Sequence, residues 1–123
     1  MNEKLKLKYL MLYPEAKVQC YGEKINYTVS FIDKVNERVW LRTKPFAVGN
    51  DRDDIAIEDC KLILRPIVEL SEDEDCLHKS LQVIHQNENG DVYYYDSIDS
   101  IDYLRSINID IDGLQERGLC IYE

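Results

Sequence analysis

Carboxylates and tyrosines are the side chains of this sequence whose spacing comes closest to a chemical site. Asp96, Asp99 and Asp102 recur at every third residue, which places them on successive turns of a helix. Such a series can hold a magnesium ion or supply an acid–base pair, but it is also typical of the solvated face of an amphipathic helix. We expect the solvated face, because apolar residues nearby follow the same spacing.

Three consecutive tyrosines precede the aspartate series. If they form a strand, Tyr94 lies on one face and its two neighbours on the other. Tyrosine is favoured at protein interfaces because it combines a large area with a polar tip. We therefore predict a partner-binding surface made of Tyr93, Tyr95, Asp96, Asp99, Asp102, Glu72 and Asp73. The alternative is that one face is core and the other is ordinary sheet surface.

Patterns for metals and catalysis are incomplete. Four residues match the first, third, fifth and sixth positions of a calcium loop, namely Asn108, Asp110, Asp112 and Gly113. Leu119 occupies the twelfth position, where calcium needs a glutamate. The sequence has two histidines, four separated cysteines without a C-x-x-C pair, and no nucleotide or nucleophile motif. We expect no metal, no cofactor and no catalytic activity.

The N-terminal elements that accompany these residues are predicted to be strands. Residues 4–9 alternate lysine with apolar residues, which favours a half-exposed strand. Residues 18–21 and 25–32 are rich in β-branched and aromatic side chains, and the glycine between them favours a hairpin. Residues 38–43 continue the pattern. The first fifty residues are therefore predicted to form an antiparallel meander.

The middle of the chain is predicted to contain a break, a strand and a helix. Residues 50–54 are a polar break, and residues 60–65 form a strand that ends because Pro66 has no N–H to donate. Ser71 and Glu74 stand at capping-box spacing, which predicts the start of a short helix.

A further hairpin is predicted before the aspartate series. The Asn89-Gly90 pair between residues 81–85 and 92–95 favours two strands joined by a tight turn. Residues 81–85 can alternatively extend the preceding helix.

The C-terminal residues predict two short helices and a last strand. One helix starts near Asp96 or Ser97, a second spans residues 110–118 between a capping aspartate and a glycine, and residues 119–121 form the strand. The apolar side of the first helix is formed by Ile98, Ile101, Leu104 and Ile107. The fold class is therefore α+β, in one domain covering residues 1–123, with an N-terminal antiparallel β-meander, a further hairpin and short C-terminal helices.

The net charge of −9 is distributed unevenly. Residues 1–50 hold 9 Lys+Arg and 5 Asp+Glu, whereas residues 51–123 hold 6 and 19. A net-acidic protein is repelled by nucleic-acid phosphates, so we expect no direct binding of DNA or RNA. The acidic half suits a basic protein partner, although the charge can also serve solubility alone.

Residues 57–70 and 109–119, and more loosely residues 8–10, resemble a family of small uncharacterised proteins of Bacteroidetes genomes and their prophages. The resemblance implies a phage or mobile-element context and carries no known activity. The chain departs from the family's pattern at Asp112, where an aromatic or aliphatic residue is typical.

The leading hypothesis is a small acidic accessory protein that binds a basic protein surface without catalysis. In a phage context the partner would be a host defence nuclease, which an anti-CRISPR-like inhibitor would block at its nucleic-acid groove. The alternative is a structural accessory that self-associates into homo-oligomers, and a small enzyme without a recognisable motif comes third. The N-terminus shows no signal peptide or membrane span, so we expect a cytoplasmic protein without a membrane partner.

Overall fold

The computed structural model describes residues 3–43 and 51–123, which form three α-helices and eight strands and confirm the predicted α+β class. Met1, Asn2 and residues 44–50 lie outside the described residues, and so does the first residue of the predicted polar break. The elements along the chain are α1 (Leu7–Leu12), β1 (Val18–Cys20), β2 (Thr28–Asp33), β3 (Arg38–Arg42), β4 (Arg52–Ala56), β5 (Cys60–Leu64), α2 (Glu72–Leu81), β6 (Val83–Gln86), β7 (Val92–Tyr95), α3 (Ile98–Ser106) and β8 (Cys120–Tyr122).

The core is built on a three-stranded mixed sheet with β5 in the centre. Strand β5 pairs antiparallel with β1 and parallel with β8. Its residues Leu62, Ile63 and Leu64 are all buried, as expected for a central strand covered on both faces. The strand ends before Pro66, as predicted. No helix of the described residues is both long and apolar enough to cross a membrane.

Strands β2, β3 and β4 form a separate antiparallel sheet. Val39 and Leu41 of β3 are buried, and Trp40 points to the opposite face, as predicted. The predicted polar break is wrong at residues 52–54, which belong to β4. Arg38 of β3 contacts Asp54 at 2.9 Å, and cross-strand pairs of opposite charge stabilise a polar strand.

The predicted strand at residues 4–9 is wrong, because α1 begins at Leu7. Leucine, lysine and methionine are good helix formers, and one helical turn brings Leu7 and Leu10 to the same side. Leu10 is buried, and Leu7 packs partly against the core. The alternation of lysine and leucine was therefore too short to distinguish a strand from a helix.

The predicted hairpin between residues 18–21 and 25–32 is reduced to one bridge. Val18 and Tyr27 exchange two backbone hydrogen bonds of 2.9 and 2.8 Å. All three residues of β1, Val18 included, pair with β5, about forty residues later in the chain, while β2 enters the other sheet. The local turn signal was correct, but it could not identify the partner strand.

The segment from α2 to α3 follows the prediction closely. Ser71 caps α2 in a complete capping box with Glu74, and Ser97 caps α3. Strands β6 and β7 form the predicted hairpin, with Gly90 in the left-handed region at φ +86°. The apolar side of α3 is buried only in part, because Leu104 is covered whereas Ile98 is 80% exposed.

The second predicted C-terminal helix, at residues 110–118, is wrong. The carboxylate of Asp110 accepts hydrogen bonds from the backbone N–H groups of Leu114 and Gln115, as a helix cap would. The chain then forms turns, and Leu119 N–H closes back onto the Leu114 carbonyl at 2.9 Å. Too few residues remain for a helix before β8 begins at Cys120.

Arg65 connects the central sheet to the segment that contains α2 and α3. Its guanidinium forms a bidentate pair with Glu74 at 2.8 and 3.0 Å and also donates to the Ile107 carbonyl. Its backbone donates to Asn108 and accepts from Asp110. One residue therefore holds the start of α2, the end of α3 and the end of β5 together.

We expect Arg65→Ala to lower the free energy of unfolding by about 2 kcal/mol, because it removes charge-assisted hydrogen bonds from a partly buried site. Lys79→Ala removes an exposed pair with Asp75 in the same region and should cost about 0.5 kcal/mol or less. Urea unfolding of both variants measures the difference. Equal losses of unfolding free energy would show that Arg65 does not stabilise the connection between β5 and the two helices.

The pair between Arg65 and Glu74 also predicts a loss of stability in acid. The Arg65 guanidinium and the Ser71 backbone lower the pKa of Glu74 from 4.5 to about 2. Because the folded pKa is the lower one, the stabilisation is complete above pH 4.5 and is lost as the pH falls towards 2. Urea unfolding measures the free energy of unfolding at neutral pH and at about pH 3. Its decrease between the two should be smaller for Glu74→Gln than for the unchanged protein. Equal decreases would contradict this prediction.

Candidate functional site

The β6–β7 hairpin presents side chains on two separate faces. The register pairs Val83 with Tyr95 and His85 with Tyr93, so these four residues share one face. The opposite face is formed by Ile84, Gln86, Val92 and Tyr94. The predicted separation of Tyr94 from its two neighbours follows directly from this register.

Both faces of the hairpin are exposed. Every residue of β6 and β7 is accessible to solvent, and the apolar and aromatic side chains range from 45% exposed for Tyr93 to 63% for Ile84. A strand with apolar residues on both faces is normally covered on both, and an isolated two-stranded hairpin is marginally stable in water. The hairpin therefore leaves apolar area exposed to solvent on both faces.

The aromatic rings on one face lie side by side. The ring centroids of Tyr93 and Tyr95 are 6.5 Å apart, and those of His85 and Tyr95 are 6.4 Å apart. The loop that follows β6 is fixed by Asn87, whose side-chain oxygen accepts hydrogen bonds from the backbone N–H groups of Asn89 and Asp91. The rings are therefore displayed on a strand pair whose turn is well defined.

Asp96 lies at the base of the hairpin and bonds to both helices. Its Oδ1 is 2.8 Å from His78 Nε2 and accepts hydrogen bonds from the side chains of Gln82 and Ser100. A carboxylate only accepts hydrogen bonds, so His78 Nε2 carries a proton. Burial acts to raise the pKa of Asp96, but these hydrogen bonds outweigh it and lower the pKa below 3.8.

The combination of Ser100, His78 and Asp96 is not arranged as a nucleophilic triad. In a triad the histidine lies between the serine and the acid, whereas here both the serine and the histidine contact the acid. Ser100 is fully buried and also accepts a hydrogen bond from the Ser97 backbone. The arrangement is suited to holding α2 and α3 together.

The other predicted site residues are distributed along the two helices. Asp99 and Asp102 are exposed on α3, on the turns that follow the hairpin. Glu72 and Asp73 are exposed at the start of α2, about 14 Å along the helix axis from its end next to the hairpin. The structure therefore brings Tyr93, Tyr95 and Asp96 together beside the C-terminal end of α2. It leaves Glu72 and Asp73 at the N-terminal end of that helix.

The carboxylates of the calcium-like pattern bind protein groups. Asp112 accepts from Arg105 at 2.8 Å and from the Tyr13 hydroxyl at 2.6 Å, which connects α3 to the residue after α1. Asp110 accepts from the Tyr122 hydroxyl at 2.8 Å in addition to its two backbone contacts. Across residues 3–43 and 51–123, no three His, Cys, Asp or Glu side chains converge as metal ligands.

Some members of the exposed surface were not among the predicted site residues. Ile84, Val92 and Tyr94 cover the second face of the hairpin, and Ile98 adds the most exposed apolar side chain of α3. The sequence signal for these additional residues was the run Val83-Ile84 and the three tyrosines. They break the alternation expected of a strand with one solvent-exposed face.

We expect Asp96→Ala to lower the free energy of unfolding by about 1–3 kcal/mol, because it leaves His78 without its acceptor and removes one of the two acceptors of the Ser100 hydroxyl. Asp99→Ala and Asp102→Ala remove exposed carboxylates and should change it by about 0.5 kcal/mol or less. Thermal and urea unfolding of the three variants test this difference. A stable Asp96→Ala protein would show that the hydrogen-bond network contributes little.

Comparisons with known proteins provide no relative for the chain. No protein-family model, curated protein or solved structure matches it. The resemblance to Bacteroidetes and prophage proteins therefore remains a prediction, and the proposed binding surface rests on the chain's own geometry and charge.

Proposed function

We propose that the protein acts by non-catalytic binding, with the β6–β7 hairpin and the adjacent face of α3 docking onto a basic surface of another protein. The observation that supports this most is a hairpin with uncovered apolar side chains on both faces, set in the most acidic part of the chain. Aromatic area supplies the contact, and carboxylates select the sign of the partner's charge.

The charge of residues 71–107, here called the acidic arm, favours a basic partner. The acidic arm holds two cationic side chains, Lys79 and Arg105, against nine carboxylates: Glu72, Asp73, Glu74, Asp75, Glu88, Asp91, Asp96, Asp99 and Asp102. Three of the nine form salt bridges, counting the pair with His78. The remaining six form none within the described residues, so they are available to lysine and arginine of a partner.

The chemistry of the surface fits arginine particularly well. A guanidinium can stack on a tyrosine ring and donate two hydrogen bonds to a carboxylate. Tyr93 and Tyr95 share one face of the hairpin, and Asp99 follows within one turn of α3. Proteins that bind nucleic acid concentrate arginine and lysine in their grooves, so a nuclease groove is a surface of the required kind. In the phage context that the family resemblance implies, the protein would inhibit a host defence nuclease as an anti-CRISPR does.

Self-association is the second candidate function, and it has one supporting observation. The hairpin forms a two-stranded sheet in the described structure, so each of its strands has an outer edge that another strand could pair with. Two copies would bring two acidic arms together, however. Like charges oppose that contact, which makes a basic partner the better explanation.

Binding should depend on the hairpin and α3 but not on the N-terminal lysines. We expect Tyr93→Ser/Tyr95→Ser and Asp99→Lys/Asp102→Lys each to weaken binding to the partner recovered by pull-down at least tenfold, because they remove contact area and charge complementarity. The matched control is Lys4→Glu/Lys6→Glu/Lys8→Glu, which should bind like the unchanged protein. Asp96 is excluded from the variants because of its bonds to both helices. Circular dichroism confirms folding of each variant.

The same experiment distinguishes the candidate partners. The complex with the recovered protein should weaken as salt rises, because exposed charges act over about 10 Å at 0.1 M salt. If the partner is a nuclease, adding the protein should displace a fluorescent oligonucleotide from it, as measured by anisotropy, and the oligonucleotide should not bind the protein itself. If only the lysine variant loses binding, the N-terminal lysines are the contact surface and the proposed hairpin surface is wrong. Dimers that persist without a partner and disappear in the tyrosine variant would support self-association.

A further inference from the structure

Two cysteines face each other across the central sheet. Cys20, the last residue of β1, is directly opposite Cys60, the first residue of β5. The backbone hydrogen bonds belong to the adjacent pair, where Tyr21 N–H donates to the Asp59 carbonyl, and to the pair three positions away, where Ile63 N–H donates to the Lys17 carbonyl, both at 2.8 Å. Antiparallel pairs alternate, so the two cysteines form a non-hydrogen-bonded pair.

This position brings the two thiols close enough to be joined. Residues in a non-hydrogen-bonded pair have Cα atoms about 4.5 Å apart, and their side chains lie on the same face of the sheet. Disulfides span Cα distances of about 4.4–6.8 Å. A bond between Cys20 and Cys60 therefore needs little movement of either strand.

We propose that Cys20 and Cys60 are a redox-active pair that forms a reversible cross-strand disulfide. A disulfide such as oxidised glutathione is the oxidant. One cysteine thiolate attacks it, forms a mixed disulfide and releases one glutathione thiolate. The second cysteine thiolate then attacks the protein sulfur, closes the Cys20–Cys60 bond and releases the second glutathione. The two cysteines lose two protons and two electrons, and glutathione disulfide gains them.

The other two cysteines lack this arrangement. Cys120 lies opposite Leu62 in the parallel pair of β5 and β8, and its sulfur faces Asp110 at 3.7 Å. Cys76 is exposed on α2, away from any strand pair. The proposed disulfide is therefore specific to one pair of the four.

Access to the pair comes from the end of the sheet. Cys60 lines a cavity of about 360 Å³ together with Leu5, Tyr21 and Asp59. Both thiols are otherwise buried. Burial raises the pKa of Cys20 above its usual value of 9.0 and raises the pKa of Cys60 to about 12. Since the thiolate is the attacking species, oxidation should be slow and should speed up as the pH rises.

The disulfide would close a loop that contains β2, β3 and β4. Joining residues that are forty positions apart restricts the unfolded chain, so the oxidised protein should be more stable than the reduced one. A loop of this length in a chain of this size corresponds to an increase in melting temperature of about 15 °C.

Peptide mapping can identify the disulfide directly. The full-length Cys76→Ser protein, which cannot form disulfides through its exposed thiol, is equilibrated in glutathione redox buffers. Equilibrium is approached from the native reduced protein and from protein refolded in the same buffer, so slow access cannot hide the bond. Each cysteine falls in a different tryptic peptide, with Cys20 in residues 18–24 and Cys60 in residues 53–61.

We expect non-reducing mass spectrometry to find these two peptides joined, with the loss of two hydrogen atoms, and a reductant to separate them. The melting temperature should rise on oxidation, and Cys20→Ala or Cys60→Ala in the same background should abolish both effects. Cys120→Ala should abolish neither. Free thiols at positions 20 and 60 after both routes in the most oxidising buffer, or a linkage through Cys120, would overturn the proposal.

Discussion

The bidentate pair between Arg65 and Glu74 is the contact on which the position of the acidic arm depends. Arg65 directly follows the central strand, and Glu74 belongs to the capping box that starts α2. The main hydrophobic cluster contains residues from the N-terminal 64 positions and from residues 114–120, but none of residues 65–113. Leu104 is the one buried apolar residue of the arm, so directional polar contacts contribute much of what fixes its position.

A second polar connection also joins the end of α3 to the rest of the fold. Asp112 joins Arg105 of α3 to Tyr13, which is buried against the core. Burial acts to raise the pKa of Asp112, but the hydrogen bonds from Arg105 and Tyr13 lower it below 3.8. Arg65 and Arg105 are thus committed to intramolecular contacts, so they do not neutralise the exposed carboxylates of the arm.

The sequence was most informative where structure is determined locally. The capping residues Ser71 and Ser97 and the Asn89-Gly90 turn indicated the elements of the arm, because caps and tight turns involve neighbours in the chain. Pairing between distant segments was not predictable in the same way. The partner of β1 is forty residues away, and α1 forms from a pattern that a strand shares.

In the candidate site, too, local features were predictable from the sequence and contacts between distant segments were not. Alternation along the strand correctly separated Tyr94 from Tyr93 and Tyr95, because it depends on backbone geometry alone. The consecutive apolar residues did not by themselves show that both faces are exposed, since the same pattern also describes a buried strand. The contact between Asp96 and His78 was equally hidden, because it joins two helices across a hairpin.

The separation between the hydrophobic cluster and the hairpin has an evolutionary consequence. Side chains of β6 and β7 are exposed on both faces, so most of them can be exchanged without disturbing the packing of the central sheet. Selection for folding and selection for recognition then act on different residues of the same chain. Substitutions in the hairpin can therefore follow changes in the surface it meets without matching changes in the central sheet.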